Sequence, residues 1–396
     1  MTPAPAPRIC HRLLLLTVLA ALAPAAHAQV TLERDLGPMA ELPMRAPLGL
    51  PFVQVGVGES APRWFGFDTG ATHTCLDRAW VRDLRLTLGD AGGRAPPGKG
   101  TMQLGELRWA DRSFGAIDLI PLASAVGRRL WGILGADLLQ TAVVELDYAA
   151  ARMRLYAPDA YRYAGRGHVF DVAIEKTKVL VPMRIRRRDG TEVTGTFLVD
   201  TGSTQAIGLS PHFYRGLLTP GQPTVEARGW RFGGAASTGR LLRLASIQLG
   251  PFSFDDVVAH AVVDESKRSW DGSIGGEVLR RFKVILDRSR SRMMLEPNGA
   301  IHEPARESLT GMELAADGPD QRILRVFSVY AGSPAARAGV ARGDVLLEID
   351  GEDAASYGLD GLWERWRAGA GSVHQLLMRR GDTERVVSIE LERLPL

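Results

Sequence analysis

The sequence predicts a mainly β protein: two copies of one β-rich lobe, followed by a small α+β domain. Three observations predict it. Phe67-Asp68-Thr69-Gly70-Ala71 recurs as Val199-Asp200-Thr201-Gly202-Ser203, 132 positions later (200 − 68), each time behind an apolar run. The surrounding landmarks recur in the same order: Gln103-Leu104-Gly105 with Gln248-Leu249-Gly250, Gly132-Ile133-Leu134-Gly135 with Gly272-Ser273-Ile274-Gly275, and Leu146-Asp147 with Leu286-Asp287. From about His302 the pattern turns to short strands separated by two helical stretches. A fixed order of landmarks at a near-constant offset marks a duplicated unit, whereas one Asp-Thr-Gly alone needs be no more than a turn.

The 396 residues suffice for two or three domains with proper cores. Arg8 and Arg12 precede the apolar run 13–23, and Ala26-His27-Ala28 supplies small residues in signal-peptidase order, so residues 1–28 read as a signal peptide cleaved before Gln29. The run is short for a bilayer, and the protein is expected to be exported, periplasmic or secreted, without stable membrane insertion. Removing two Arg leaves 46 basic residues (48 − 2) against 45 acidic ones, which gives no reason to expect nucleic acid. Cys10 leaves with the signal, so Cys75 has no intrachain disulfide partner and reads as a small packing residue rather than a nucleophile. The histidines are scattered, without a zinc-binding spacing, and no metal or cofactor is expected.

Taken in order, Gln29 to about Arg45 reads as an arm or edge strand. Pro51 to Val57 alternates, Gly58-Glu59-Ser60 is turn chemistry, and Arg63 to Phe67 is a strand that ends at Asp68. A strand end holds the backbone rigid and leaves the side chain accessible, which suits a catalytic group. Asp90 to Gly100 contains Gly92, Gly93, Gly98, Gly100 and two Pro, and reads as a lid loop. Gly233 and Gly234 mark the corresponding place in the second copy. Strands follow at Met102 to Trp109 and Phe114 to Leu119, then a strand end running into a short helix over Trp131 to Gln140, then strands Ala142 to Leu146 and Met153 to Tyr156. The second copy repeats this plan from Val169 to Glu296, with Asp189-Gly190 at its first hairpin turn. In the tail, Ile323 to Val329 is a strand, Gly332-Ser333-Pro334-Ala335-Ala336 caps and starts a short helix ended by Gly339, and Val345 to Ile349 is a strand. Leu359 to Ala368 is helical, and the last strands are Ser372 to Met378 and Arg385 to Leu391.

Asp68-Thr69-Gly70-Ala71 with Ile133-Leu134-Gly135, and Asp200-Thr201-Gly202-Ser203 with Ile274-Gly275-Gly276, resemble the two halves of a retropepsin-like aspartic peptidase over roughly residues 45–297. Two motifs in one chain imply the fused, pseudo-two-fold bilobal acid-protease fold. The tail resembles a PDZ domain of bacterial envelope proteases through Gly332-Ser333-Pro334-Ala335-Ala336, Ala338-Gly339 and Gly343-Asp344-Val345. The implied domains are lobes at 29–157 and 158–299 and a PDZ domain at 300–396. The resemblance assigns Asp68 and Asp200 as the catalytic pair. Thr69 and Thr201 would hydrogen-bond across the lobe junction, Gly70 and Gly202 would bring amides to the carboxylates, and the Ser203 hydroxyl would bond the outer oxygen of Asp200. Neither lid carries the Tyr of a pepsin-type flap, so the lids are retropepsin-like. In the tail, Gly311-Met312-Glu313-Leu314 stands where a peptide-carboxylate loop is expected.

The chemistry follows from the residue types. Two carboxyls within about 3 Å cannot both ionise easily and share a proton. The ionised one takes a proton from water, which attacks the peptide carbonyl, while the protonated one donates to that carbonyl. The expected function is aspartic endopeptidase, with peptide or protein substrates and a PDZ ligand as partners. The alternatives are a non-catalytic envelope peptide-binding scaffold of the same fold, and an active site assembled between two chains.

Overall fold

The computed structural model describes residues 38–86, 98–230, 236–262, 269–367 and 369–396 of the chain. The expected signal peptide, residues 1–28, lies outside them.

Each lobe is built on the same ladder. In the first, Arg63–Phe67 runs parallel to Gly132–Leu134, with Phe67 opposite Leu134. In the second, Glu192–Val199 runs parallel to Gly272–Ile274, with Val199 opposite Ile274. The short strands Cys75–Asp77 and Ile207–Leu209 take the other side of those central strands, antiparallel to them. The chain must therefore cross from one side of a three-residue strand to the other, and the Asp-Thr-Gly segment is the crossing. Phe65, Phe67, Phe197 and Val199 are wholly buried beneath it, each contributing about 1.5–3 kcal/mol of transfer free energy.

The lobes are joined by a sheet that obeys the repeat. Val143–Asp147 pairs antiparallel with Phe282–Asp287, Val144 opposite Leu286 and Leu146 opposite Val284. Adding the 140-residue offset (284 − 144) to one pair generates the other, so the pseudo-two-fold axis passes through the pair Glu145 and Ile285. The stretch read as an arm or edge strand is instead an inner strand, Ala40–Arg45, paired with Arg152–Tyr156 on one side and Phe52–Val57 on the other.

The tail has its own apolar core, with Met312, Leu324, Ile349, Leu362, Leu376 and Met378 inside. Its sheet runs in the order Met312–Asp317, Ile323–Val329, Val345–Ile349, Val373–Arg380, Thr383–Glu390, with the helix Ala354–Arg367 packed across it. Met312–Asp317 is the edge strand, and the first-lobe helix Ile120–Val126 packs against it.

Several expectations need correction. The strand expected over Met102 to Trp109 is two strands, Gly98–Leu104 and Leu107–Ile117, because Gly105 takes φ 56° and turns the chain between Leu104 and Leu107. Gly98 and Gly100 are therefore paired strand residues, opposite Phe114 and Arg112, and not lid loop. A Cβ at Gly100 would stand 3.0 Å from the Phe114 ring, so glycine serves packing there. Gly92, Gly93, Gly233 and Gly234 lie outside the described residues. The helices Arg78–Asp83, Ile120–Val126 and Pro211–Leu217 were not expected; the first is capped by Asp77, whose carboxyl accepts from the Ala79 and Trp80 amides.

Candidate active site

Asp68 and Asp200 leave their strands at matching points. The Asp68 amide donates to the Leu134 carbonyl and the Asp200 amide to the Ile274 carbonyl, both at 2.9 Å. Beneath them the two threonines interlock. Thr69 N–H donates to Thr201 Oγ1 at 3.0 Å, and Thr201 N–H donates to Thr69 Oγ1 at 3.1 Å. The Thr69 hydroxyl donates onward to the Val199 carbonyl, and the Thr201 hydroxyl to the Phe67 carbonyl at 2.7 Å. Both side chains are completely buried. Four hydrogen bonds thus cross between the lobes in a space without water, where any unmet partner costs about 1–3 kcal/mol.

This lattice brings the carboxyls of Asp68 and Asp200 into mutual hydrogen-bond contact. Gly70 donates its amide to Asp68 Oδ1 at 2.7 Å and Ala71 does so at 3.1 Å, while Gly202 donates to Asp200 Oδ1 at 3.1 Å. No larger residue fits beside the pair: a Cβ on Gly202 would lie 2.2 Å from Asp68 Cγ, and one on Gly70 2.6 Å from Asp200 Oδ1. Ser203 departs from expectation. Its hydroxyl accepts from the Gln205 amide at 3.3 Å, and no bond from it to Asp200 is formed, because the turn to Gln205 draws it away.

Burial raises both carboxyls. Asp200 is pushed up to about 8, chiefly by burial and then by the charge of Asp68, against the Gly202 amide and the Lys178 charge. Asp68 is also raised by burial, but the amides of Ala71 and Gly70 oppose it. Asp68 thus has two amide donors to its carboxyl and Asp200 one, an imbalance that favours ionised Asp68 over ionised Asp200.

Lys178 was missed in the sequence. It is buried at the start of the second-lobe strand Lys178–Arg186, and its Nζ donates to the Gly70 carbonyl of the first lobe. His260 also faces the cleft, and burial pushes it down to about 4, leaving it neutral. Cys75 is buried and pushed up to about 11, chiefly by burial, with the Gly115 backbone against its sulfur, which fits the packing role.

The pair lines a cleft of about 640 Å³ that the tail domain also lines, through Leu314, Phe327, Tyr330 and Trp363. The expected carboxylate loop is occupied differently. Gly311 has φ 67° and abuts Ser333, Met312 is buried, and Glu313, pushed up to about 7 by burial, accepts from the Tyr330 hydroxyl at 2.8 Å. Residues 312–314 belong to the edge strand, not to an open loop. The tail is anchored to the second lobe by Arg243 and Glu307, each about 5% exposed, at 2.7 Å, and by Leu394 and Leu396 packed with Val225, Ala227 and Leu241. Besides the packing of Ile120–Val126 on Met312–Asp317, the first lobe meets the tail through Arg128 paired with Asp360, with Gly127 against Leu359.

Comparison with known proteins agrees on the tail. A family described as PDZ domain matches residues 325–362, so the C-terminal domain is a PDZ domain. The chain is similar to a carboxyl-terminal-processing protease of Picosynechococcus sp. (strain ATCC 27264 / PCC 7002 / PR-6), 28% identical over 119 residues, 30% of this chain and 29% of that protein. It therefore spans under a third of that relative's length. Among solved structures, the aspartic proteinase from Irpex lacteus overlays with a TM-score of 0.42 at 16% identity, covering 67% of this chain and 99% of that one. A photosystem II D1 C-terminal processing protease overlays with a TM-score of 0.21 at 20% identity, covering 23% and 26%.

Proposed function

We propose that this chain is an exported aspartic endopeptidase whose one active site is the Asp68 and Asp200 pair, with residues 29–157 and 158–299 as its lobes and the domain at 300–396 as its substrate-recognition wall. The observation that carries the reading is the contact of the two carboxyls above the interlocked threonines. Asp68, supplied with two amides, acts as the base that takes a proton from water. Asp200 holds the proton and donates it to the peptide carbonyl oxygen as the tetrahedral species forms. When the C–N bond breaks, the proton taken by Asp68 passes to the leaving amine. Tail residues, Trp363 among them, line the same cleft as the carboxyls, and an extended substrate in it would meet both.

Peptide-library digestion read by mass spectrometry tests the proposal. Purified protein starting at Gln29 cleaves internal peptide bonds, and Asp68→Asn and Asp200→Asn each abolish cleavage. Cleavage surviving in either variant, or none in the parent at any pH from 3 to 9, would overturn it in favour of a peptide-binding scaffold.

A further inference from the structure

We propose that Lys178 is a positioning residue that keeps Asp68 as the ionised member of the pair, acting both through its own charge and through the Gly70–Ala71 peptide. The inference rests on the aspartic reading above and assigns one residue that the repeat does not contain.

The argument begins at a hairpin. Lys176 takes φ 57°, so Lys176-Thr177 forms a two-residue turn between Ala173–Glu175 and Lys178–Arg186, and Lys178 is the first residue after it. The turn delivers a long cationic side chain from the second lobe across the junction to the first. Its Nζ donates to the Gly70 carbonyl. That carbonyl and the Ala71 N–H belong to one peptide unit, and the Ala71 N–H donates to Asp68 Oδ1 at 3.1 Å. A cation on the oxygen of a peptide polarises it and strengthens the bond its N–H makes. The chain Lys178 ammonium, Gly70–Ala71 peptide, Asp68 carboxylate is thus aligned to stabilise negative charge on Asp68. No equivalent ends on Asp200 among the described residues, and the residue 22 before Asp68 (68 − 46), as Lys178 is 22 before Asp200 (200 − 178), is Ala46.

The other charged groups around Lys178 leave it to the pair. Glu175, its ladder neighbour, accepts from the Ser269 hydroxyl at 2.6 Å, Lys176 is exposed, and Glu277 is held by Arg280 and Arg281. His260 is neutral. Burial lowers Lys178 from its ordinary value, while Asp68 and Asp200 raise it. A cation this close to a carboxyl pair moves the pair's titration downward, by on the order of one pH unit or more.

The test compares Lys178→Met and Lys178→Arg with the parent in two readouts. The first is the pH profile of kcat/KM on a cleaved peptide. The second is the carboxyl NMR titration of protein labelled at aspartate, which needs no substrate. Lys178→Met should move the acid limb of the profile, and the titration of the pair, upward by about one unit, a roughly tenfold loss of activity below the limb. Lys178→Arg should restore both. An equal loss at every pH with the limbs and the titration unmoved would overturn the proposal and leave Lys178 as a brace for Gly70. Activity persisting in Asp68→Asn would overturn the aspartic reading itself, whatever Lys178→Met does to the titration.

Discussion

The two aspartate loops share a backbone and differ in what they bring to their carboxyls. The Asp68 loop supplies the amides of Gly70 and Ala71, and its Gly70 carbonyl receives Lys178. The Asp200 loop supplies Gly202, and the Ser203 hydroxyl serves Gln205 instead. The common part, the interlocked threonines and the parallel ladders, makes the pair meet. The unequal part, on the proposed reading, favours the proton on Asp200. A duplicated scaffold would then supply two equivalent acids, and single donors would divide the labour between them.

The lobes also differ in their hold on the tail. The second is tied to it by a pair with both side chains about 5% exposed, Arg243 and Glu307, whereas the first uses Arg128 and Asp360, about 24% and 36% exposed. Glu307→Ala should therefore destabilise the protein by about 2–4 kcal/mol in denaturant melts, since the buried Arg243 guanidinium keeps only the half-exposed Asp256 at 3.5 Å as counter-charge. Asp360→Ala should cost under about 1 kcal/mol. Equal costs would mean that the tail leans on both lobes alike. The same contacts bear on separability: truncation after Pro297 would uncover Val225, Ala227 and Leu241, although the tail core is distinct.

The next comparison is between the two close-approach glycines. Gly202→Ala drives a methyl to 2.2 Å from Asp68 Cγ, and Gly70→Ala to 2.6 Å from Asp200 Oδ1. Each should lower kcat/KM by about a hundredfold, the usual result of displacing a reacting group by about an ångström. Thr69→Val and Thr201→Val then probe the symmetric part. Each removes one buried hydroxyl that both accepts an amide and donates to a carbonyl, so both should cost about 1–3 kcal/mol, and by similar amounts. A large inequality would show that the lattice is carried by one lobe.

Most of the site was legible because it is repeated. Asp68, Thr69 and Gly70 could be matched to Asp200, Thr201 and Gly202, and the offset of 140 between Val144 and Val284 returns as the axis of the joining sheet. What lay outside the repeat was not legible. Lys178 stands where the first copy has Ala46, and one basic residue among 48 carries no signal until the fold brings it to Gly70. The signal was the mismatch itself, a charged residue in one copy and a small apolar one in the other. The hairpin turn at Gly105 was overlooked because Leu104 and Leu107 continue the apolar run on either side of it. The Gly311 to Leu314 segment was read as a loop from its glycine, although Met312 and Leu314 alternate inward as a strand does.

The proposed shared proton can be counted without any substrate. In the folded chain Asp200 keeps its proton from the ordinary carboxylate value of 3.8 up to about 8, where the unfolded chain has lost it. The folded state then binds more protons across that window, so stability falls as pH rises through it. The decisive measurement is the thermal unfolding midpoint as a function of pH between about 4 and 8, for the parent and for Asp200→Asn. The parent midpoint should fall as pH rises, and Asp200→Asn should remove the part of the fall between about 7 and 8, above the range in which Glu313, raised by burial to about 7, adds a fall of its own. An unchanged fall between about 7 and 8 in Asp200→Asn would contradict the account, because the proton would then reside on some other group.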